Sequence, residues 1–561
     1  MSNESVPILN QTMELADCRD KWLFDKTHRC WYLEDVLYTA RATVPKFQRL
    51  SIFVPEKLLN PDGTFPAEAK NVPVVFENNS AGYMQMPHVW LDGPRCYAQQ
   101  YLDHGLIYVS CGCRGRESRD SQGRPVGKLP ITLVDLKTAI RFLRHNRAVL
   151  PGDWEKIVSA GWSAGGAMSS LLAVTGDNEH YTLYLEENGA FMDESDAVFA
   201  AQIYCPIIDL EHADMAYEWM FQADKTCEDS PAGPAETMTP FKEALSAKLA
   251  AQYVRYFNSL GLKHPVSGAP LVLDEGGRSG SGYDYFMGCL NASATDFLRR
   301  LSKGELPQTY DIQDYLTGNY TYLAPAPAPS GPPPAARHSG PREALPDLPP
   351  HPIGLGDLVS RPPRGVPYQG FEPPMAEFRG ADKRGWLSWD GEQAEIADLD
   401  TYVLRHRRRM KPCTSFDKLD MDSGENHAFG TPEADYVHFS RDTAQAVAEL
   451  AGQFPEECAR YGAAFGALEG DTALAERIDL SNPLSFIGTA EKSRQAKHYR
   501  IRVGASDADT SLSVSMTLAL KLQNAGCGTV DYAIVWDQPH SEADYPGEVC
   551  RWIDEICKAV R

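Results

Sequence analysis

Ser163 stands at the centre of Gly161-Trp162-Ser163-Ala164-Gly165, and its neighbours define the chemistry open to it. Ahead of it runs the apolar stretch Ile157-Val158-Ser159-Ala160, and behind it the small residues Gly166-Ala167-Met168-Ser169-Ser170. Strand, sharp turn and helix in that order describe a nucleophile elbow, which holds a serine hydroxyl above a sheet. The glycines have a steric reason: such a turn needs positive φ or a close backbone approach that a Cβ would obstruct. A serine hydroxyl is a poor nucleophile at neutral pH, so it needs a histidine base that is itself oriented by a carboxylate. The chemistry implied is acyl transfer, with the N-terminal dipole of the following helix beside the developing oxyanion.

The partners should lie at the carboxyl ends of later strands, in the order serine, acid, histidine. His540 sits just past the apolar run Val530-Asp-Tyr-Ala-Ile-Val-Trp536. Asp507 and Asp509 both follow the strand-like run His498-Tyr-Arg-Ile-Arg-Val503, and Asp507 occupies the usual place of the acid. Asp209, past the strand ending at Tyr204, is the fallback. Asp509 has two readings: a carboxylate facing the pocket, or the N-cap of a helix starting at Thr510. For the oxyanion, the N–H of Ala164 is one donor. The second comes from the small polar loop Asn78-Asn79-Ser80-Ala81-Gly82, with Ser80 and Ala81 as candidates; a plain surface turn is the alternative.

The elements that must position these residues are readable in order. Strands are expected at 31–33, 35–38, 47–55, 72–76, 105–110, 156–160 and 197–204, with a helix over 132–146 marked by Leu133, Leu136, Ile140 and Leu143. Strands return at 498–503 and 530–536, with helices at 512–525 and 548–560. This succession is that of an α/β-hydrolase sheet, mostly parallel and flanked by helices. Between residues 210 and 480 the alternation lapses, although helical segments such as 241–256 and 292–301 stand out. The organisation expected is therefore a catalytic domain from residues 1–209 and 481–561, with 210–480 inserted as a lid that shapes the substrate pocket. Within the lid, the proline- and alanine-rich run 324–352 cannot pack as helix or sheet and is expected to be a polyproline-like or disordered surface loop.

Composition narrows the partners. A net charge of −22 argues against nucleic acid and anionic membrane surfaces, which need basic patches. Thirteen cysteines show no paired spacing, and Cys111-Gly-Cys113 is too tight for a usual zinc half-site. That pattern suits a reducing compartment, and no secretory leader or membrane span is visible, so a cytoplasmic location is expected, with a processed secreted chain as the alternative. No metal or organic cofactor is implied.

Several motifs carry a family resemblance. Gly161-Trp-Ser163-Ala-Gly-Gly, Tyr108-Val-Ser-x-Gly-x-Arg-Gly-Arg116-Glu, Tyr204-Cys-Pro-Ile-x-Asp209-Leu, Asp507-x-Asp509-Thr-Ser and Trp536-x-Gln-Pro-His540-Ser together resemble the bacterial tannases. The resemblance implies a serine esterase acting on galloyl esters, with a triad of Ser163, Asp507 and His540 and a small-molecule substrate. It also implies that Lys411, Glu425 and Asp509 grip the galloyl hydroxyls, with Asp417, Lys418, Asp420 and Asp422 as nearby alternatives. Fungal tannases and feruloyl esterases join cysteines beside the catalytic serine and histidine; Trp162 and Ser541 stand there in this chain, which favours the bacterial branch. The competing function is a feruloyl or general aromatic carboxylesterase using the same triad.

Overall fold

The computed structural model describes residues 13–78, 80–91, 97–227, 236–325, 375–468, 470–489 and 493–558. The proline-rich run lies outside them from residue 326 onward, as does Asn79 of the candidate oxyanion loop.

One mixed sheet of nine strands forms the centre. In chain order these are β1 (Leu23–Asp25), β2 (Cys30–Leu37), β3 (Arg49–Pro55), β4 (Pro73–Asn78), β5 (Ile107–Cys111), β6 (Asp153–Trp162), β7 (Ala200–Tyr204), β8 (His498–Gly504) and β9 (Thr529–Val535). Their spatial order is β1-β2-β3-β5-β4-β6-β7-β8-β9. The first three strands pair antiparallel, β3 meets β5 antiparallel, and every pairing from β5 to β9 is parallel. With helices on both faces this is an α/β-hydrolase fold. The two short strands expected at 31–33 and 35–38 are one strand. Its register slips by a residue between Leu33 and Val36, forming a β-bulge in which Asp35 takes a left-handed φ of 61°.

Alternation along the strands sorts the core. Val74 and Phe76 of β4, Ile107 and Val109 of β5 and Ile203 of β7 face one side, against Leu133, Leu136, Ile140 and Leu143 of helix Ile131–His145. Val75, Tyr108 and Val158 face the other, against Trp552 and Ile553 of the closing helix Glu548–Lys558. Fully burying such a side chain contributes about 1.5–3 kcal/mol, so the central strands are held from both faces.

Among its described residues the insertion is mainly helical, with Leu210–Phe221, Pro240–Ser259 and Ser281–Ser302 as the long helices. The last begins eleven residues before the segment expected at 292. The apolar core on the Ile203 side continues without a break into it, through Trp219, Tyr253 and Phe286. No helix among the described residues is long and apolar enough to cross a membrane.

Candidate active site

At the carboxyl end of β6, Ser163 adopts φ 61° and ψ −128°, and helix Ala164–Val174 starts at the next residue. The positive φ of the elbow therefore falls on the serine and not on its glycines. Backbone strain of this kind costs about 1–3 kcal/mol. It is held by Ser163 N–H donating to the Tyr204 carbonyl at 3.1 Å, while the Ser163 carbonyl accepts from Ala167 and Ile207. The glycines serve close approach instead. A Cβ at Gly161 would lie 2.5 Å from the Gly165 carbonyl oxygen, and one at Gly166 2.4 Å from that of Tyr204.

The two later strands bring the partners. Gly504 ends β8 so close to the next loop that a Cβ would stand 2.1 Å from the Gln538 carbonyl oxygen. That approach sets the Asp507 and His540 loops side by side, joined by Ser506 N–H donating to the same carbonyl at 2.9 Å. His540 Nε2 is 2.8 Å from Ser163 Oγ, and His540 Nδ1 is 2.7 Å from Asp507 Oδ2. Asp507 is fully buried, and its other oxygen accepts the Asp509 N–H at 2.8 Å. Burial alone would raise the Asp507 carboxyl, but the charge and hydrogen bond of His540 outweigh it and hold the pKa below 3.8. Burial would likewise lower His540, and Asp507 instead holds it well above 6.5. The indole of Trp162 meets the His540 ring edge-on, with centroids 5.9 Å apart.

The 78–82 loop backs onto the elbow. The Asn78 side-chain amide donates to the Ala160 carbonyl and to Ser169 Oγ at 3.1 and 3.0 Å, with the Gly165 carbonyl at 3.3 Å. Ser80 is buried, donates its hydroxyl to Asn78 Oδ1, and has its N–H 3.6 Å from where a Gly165 Cβ would stand. Ala81 opens the one-turn helix Ala81–Tyr83, and Ala164 is the first helical residue after the serine.

Helix Leu210–Phe221 organises the remaining candidates from one face. Tyr217 accepts the N–H of Lys411 at 3.0 Å and donates to the Ala508 carbonyl at 2.9 Å, tying the insertion to the acid loop. Glu218 forms a fully buried pair with Arg409, and Asp214 accepts the N–H groups of Ser415, Phe416 and Asp417. Residues 214, 217 and 218 share a face because a helix returns every three to four residues. Lys411 Nζ is thereby placed 2.8 Å from the Asp509 carbonyl oxygen and 3.9 Å from its carboxylate, over the ring of Phe416. Glu425 lies on helix Gly424–Ala428, capped by Ser423, where its charge bears on the buried Tyr83 beside the 78–82 loop. No hydrogen bond or ion pair joins Glu425 to Lys411 or Asp509 among the described residues.

All of the alternatives but Asp420 are occupied. Asp417 accepts from Asn426, His438, Phe439 and Ser440, and Lys418 pairs with Asp422 at 3.1 Å. Asp420 is exposed. Asp209 accepts from Tyr256 and Asn482 and pairs with His212, away from His540. The N-cap reading of Asp509 fails, because helix Leu512–Asn524 starts later and is capped by Ser511.

Three contributors had no sequence signal of their own. Tyr217 is one of 25 tyrosines, and its partners are 194 and 291 residues away. Asn78 acts through its side chain, where the sequence pointed only to loop backbone. Cys205 carries its Sγ to within 4.8 Å of the Asp507 and His540 ligand atoms.

Fold and site together define an α/β-hydrolase. The BD-FAE family model matches residues 102–232. Among solved structures, the chain is similar to a tannin acyl hydrolase in complex with 3,4-dihydroxybenzoate, at 30% identity over 94% of both chains and a TM-score of 0.69. A tannin acyl hydrolase in complex with ethyl gallate shares 29% identity over 94% of both chains, TM-score 0.69. The tannase of Fusobacterium nucleatum shares 27% over 96% of this chain and 98% of its own, TM-score 0.70. No curated protein matches the chain. The protein belongs to the bacterial tannase family and is a carboxylic ester hydrolase.

Proposed function

We propose that the protein hydrolyses galloyl esters of tannins and simple gallates through a galloyl-serine intermediate. The observation that carries this reading is the continuous chain from Ser163 Oγ through His540 to Asp507, at 2.8 and 2.7 Å. Ser163 attacks the ester carbonyl as His540 Nε2 takes its proton, and Asp507 stabilises the imidazolium. The Ala164 N–H, with an N–H of the 78–82 loop at Ser80 or Ala81, receives the oxyanion. His540 then protonates the departing alcohol, and water releases gallic acid by the same steps in reverse.

Substrate choice is assigned to Lys411, Asp509 and Glu425. A cation and two carboxylates match a ring bearing three adjacent hydroxyls, and each loses its partner when a hydroxyl is absent. The reading is supported by the bound ethyl gallate, a galloyl ester, and the bound 3,4-dihydroxybenzoate of the two related tannin acyl hydrolases. Hydrolysis of methyl gallate and methyl ferulate decides between this function and a feruloyl or general aromatic esterase. A higher kcat/KM on the gallate is expected; a preference for the ferulate would overturn the assignment.

A further inference from the structure

We propose that Cys205, His540 and Asp507 form a capture site for a thiophilic divalent cation such as Zn2+ or Cd2+, and that its occupation switches the esterase off. One sulfur, one imidazole nitrogen and one carboxylate oxygen from these residues lie within 4.8 Å of one another. Cys205 directly follows β7 with a φ of 42°, and its thiol reaches the histidine loop, donating to the Ser541 carbonyl at 3.0 Å. A tetrahedral zinc with bonds of about 2.0–2.3 Å spaces its ligand atoms about 3.3–3.8 Å apart. The His540–Asp507 contact must therefore open from 2.7 Å and the sulfur close in, movements within the reach of side-chain rotation. The donor set of thiolate, imidazole and carboxylate is one that zinc and cadmium favour over magnesium or calcium. The Ser541 carbonyl, 3.0 Å from the sulfur and relieved of its thiol donor, is the candidate fourth ligand. Cys205 and Asp507 are buried, while His540 keeps 13% of its side chain exposed, so the cation comes in past the imidazole and onset is slow.

The step is redox-neutral. Cys205 loses its thiol proton to solvent, and the sulfur lone pair forms the metal bond. Asp507 contributes an oxygen that is already ionised. From the imidazolium, His540 gives up the proton on Nδ1 and keeps that on Nε2, ending neutral, so two protons are released in total; from the neutral ring the Nδ1 proton is replaced by one on Nε2 and one is released. Nε2 then carries a hydrogen toward Ser163 Oγ and has no lone pair with which to accept the serine proton. Ester binding involves none of these atoms, so kcat falls and KM does not change. The inhibition rests on His540 acting as the base of the proposed reaction; the binding does not.

Binding is tested on Ser163→Ala, which keeps all three ligands and cannot turn over. Titration with CdCl2, followed by thiolate-to-cadmium absorption in the ultraviolet, is compared with Ser163→Ala/Cys205→Ala and with Ser163→Ala/Cys205→Ser, which preserves the shape of the site. One cadmium–thiolate equivalent fewer in both double variants is expected; equal uptake in all three would overturn the site. In parallel, zinc is titrated into methyl gallate hydrolysis. Wild-type kcat should fall at least tenfold at constant KM and recover with EDTA, while Cys205→Ser should need at least tenfold more zinc. Equal sensitivity would overturn the switch. Cadmium bound at Cys205 with undiminished hydrolysis would overturn both the switch and the assignment of His540 as base, while the binding site stood.

Discussion

Lys411 of the insertion reaches the acid loop, its Nζ 2.8 Å from the carbonyl oxygen of Asp509 and 3.9 Å from that residue's carboxylate. The ammonium thus stands two residues from the acid that orients His540, joining the proposed recognition group to the catalytic loop. Losing a hydrogen bond to a charged group costs about 1.5–3 kcal/mol, or roughly 10–150-fold. Lys411→Ala and Asp509→Asn should each lower kcat/KM for methyl gallate by that factor and leave methyl benzoate within about threefold. Glu425→Gln should act in the same direction. Equal losses on both esters would remove the ring-reading role.

Ser163→Ala should abolish turnover of methyl gallate, by a factor on the order of 10^4–10^6 in kcat. Its circular dichroism should be that of the wild type. Covalent labelling by a fluorophosphonate should be lost in the same variant; labelling that persists would place the nucleophile elsewhere.

In the proposed reaction His540 must be neutral to accept the serine proton. Asp507 raises its pKa above the usual imidazole range, so the protonated, inactive form persists to higher pH than in a free imidazole. The acid limb of kcat/KM should therefore lie above pH 6.5, with activity rising as the proton leaves. Asp507→Asn removes the charge that raises it, so the limb should move to lower pH while kcat falls on the order of 10^4-fold. A limb unmoved by that substitution would show that another group titrates.

Asn78 braces the elbow with buried hydrogen bonds to the Ala160 carbonyl and Ser169. Asn78→Ala leaves those acceptors unsatisfied, at about 1–3 kcal/mol of stability. Chemical denaturation should show that loss, with a larger fall in kcat than in substrate affinity because the strained serine loses its support. Gly161→Ala should be worse, since its Cβ would fall 2.5 Å from the Gly165 carbonyl oxygen.

Asp224 anchors the segment that leads to Lys411. It is buried, yet the Arg408 guanidinium, the Arg409 N–H and Thr226 outweigh burial and pull its carboxyl down to about 2. A carboxyl with a depressed folded pKa contributes stability that is present above its unfolded value, near 3.8, and is lost as pH falls toward 2. Asp224→Asn should be less stable than wild type at pH 6, and the gap should narrow steadily between pH 4 and pH 2. A gap independent of pH would mean that packing, and not charge, sets the contribution.

What the sequence determined by itself was local or ordered along the chain. The elbow was readable because strand, Gly-x-Ser-x-Gly and helix are consecutive and each glycine answers a steric demand within a few residues. Asp507 and His540 were readable because parallel strands present their carboxyl ends on one edge, so position after a strand predicts proximity. Alternating apolar residues revealed most of the strands for the same reason, while the bulge at Asp35 was hidden because it breaks that alternation. Tertiary structure alone decided the rest. That the left-handed backbone falls on Ser163 and close approach on its glycines depends on Asn78 and Tyr204, which come from other strands. That Asp509 is no helix cap depends on where helix Leu512–Asn524 begins. That Lys411 meets Asp509 depends on Tyr217 and Glu218, roughly 190 residues earlier in the chain. Contacts across such separations follow from how the insertion packs on the sheet, and no periodicity in one chain encodes which distant side chains packing will bring together.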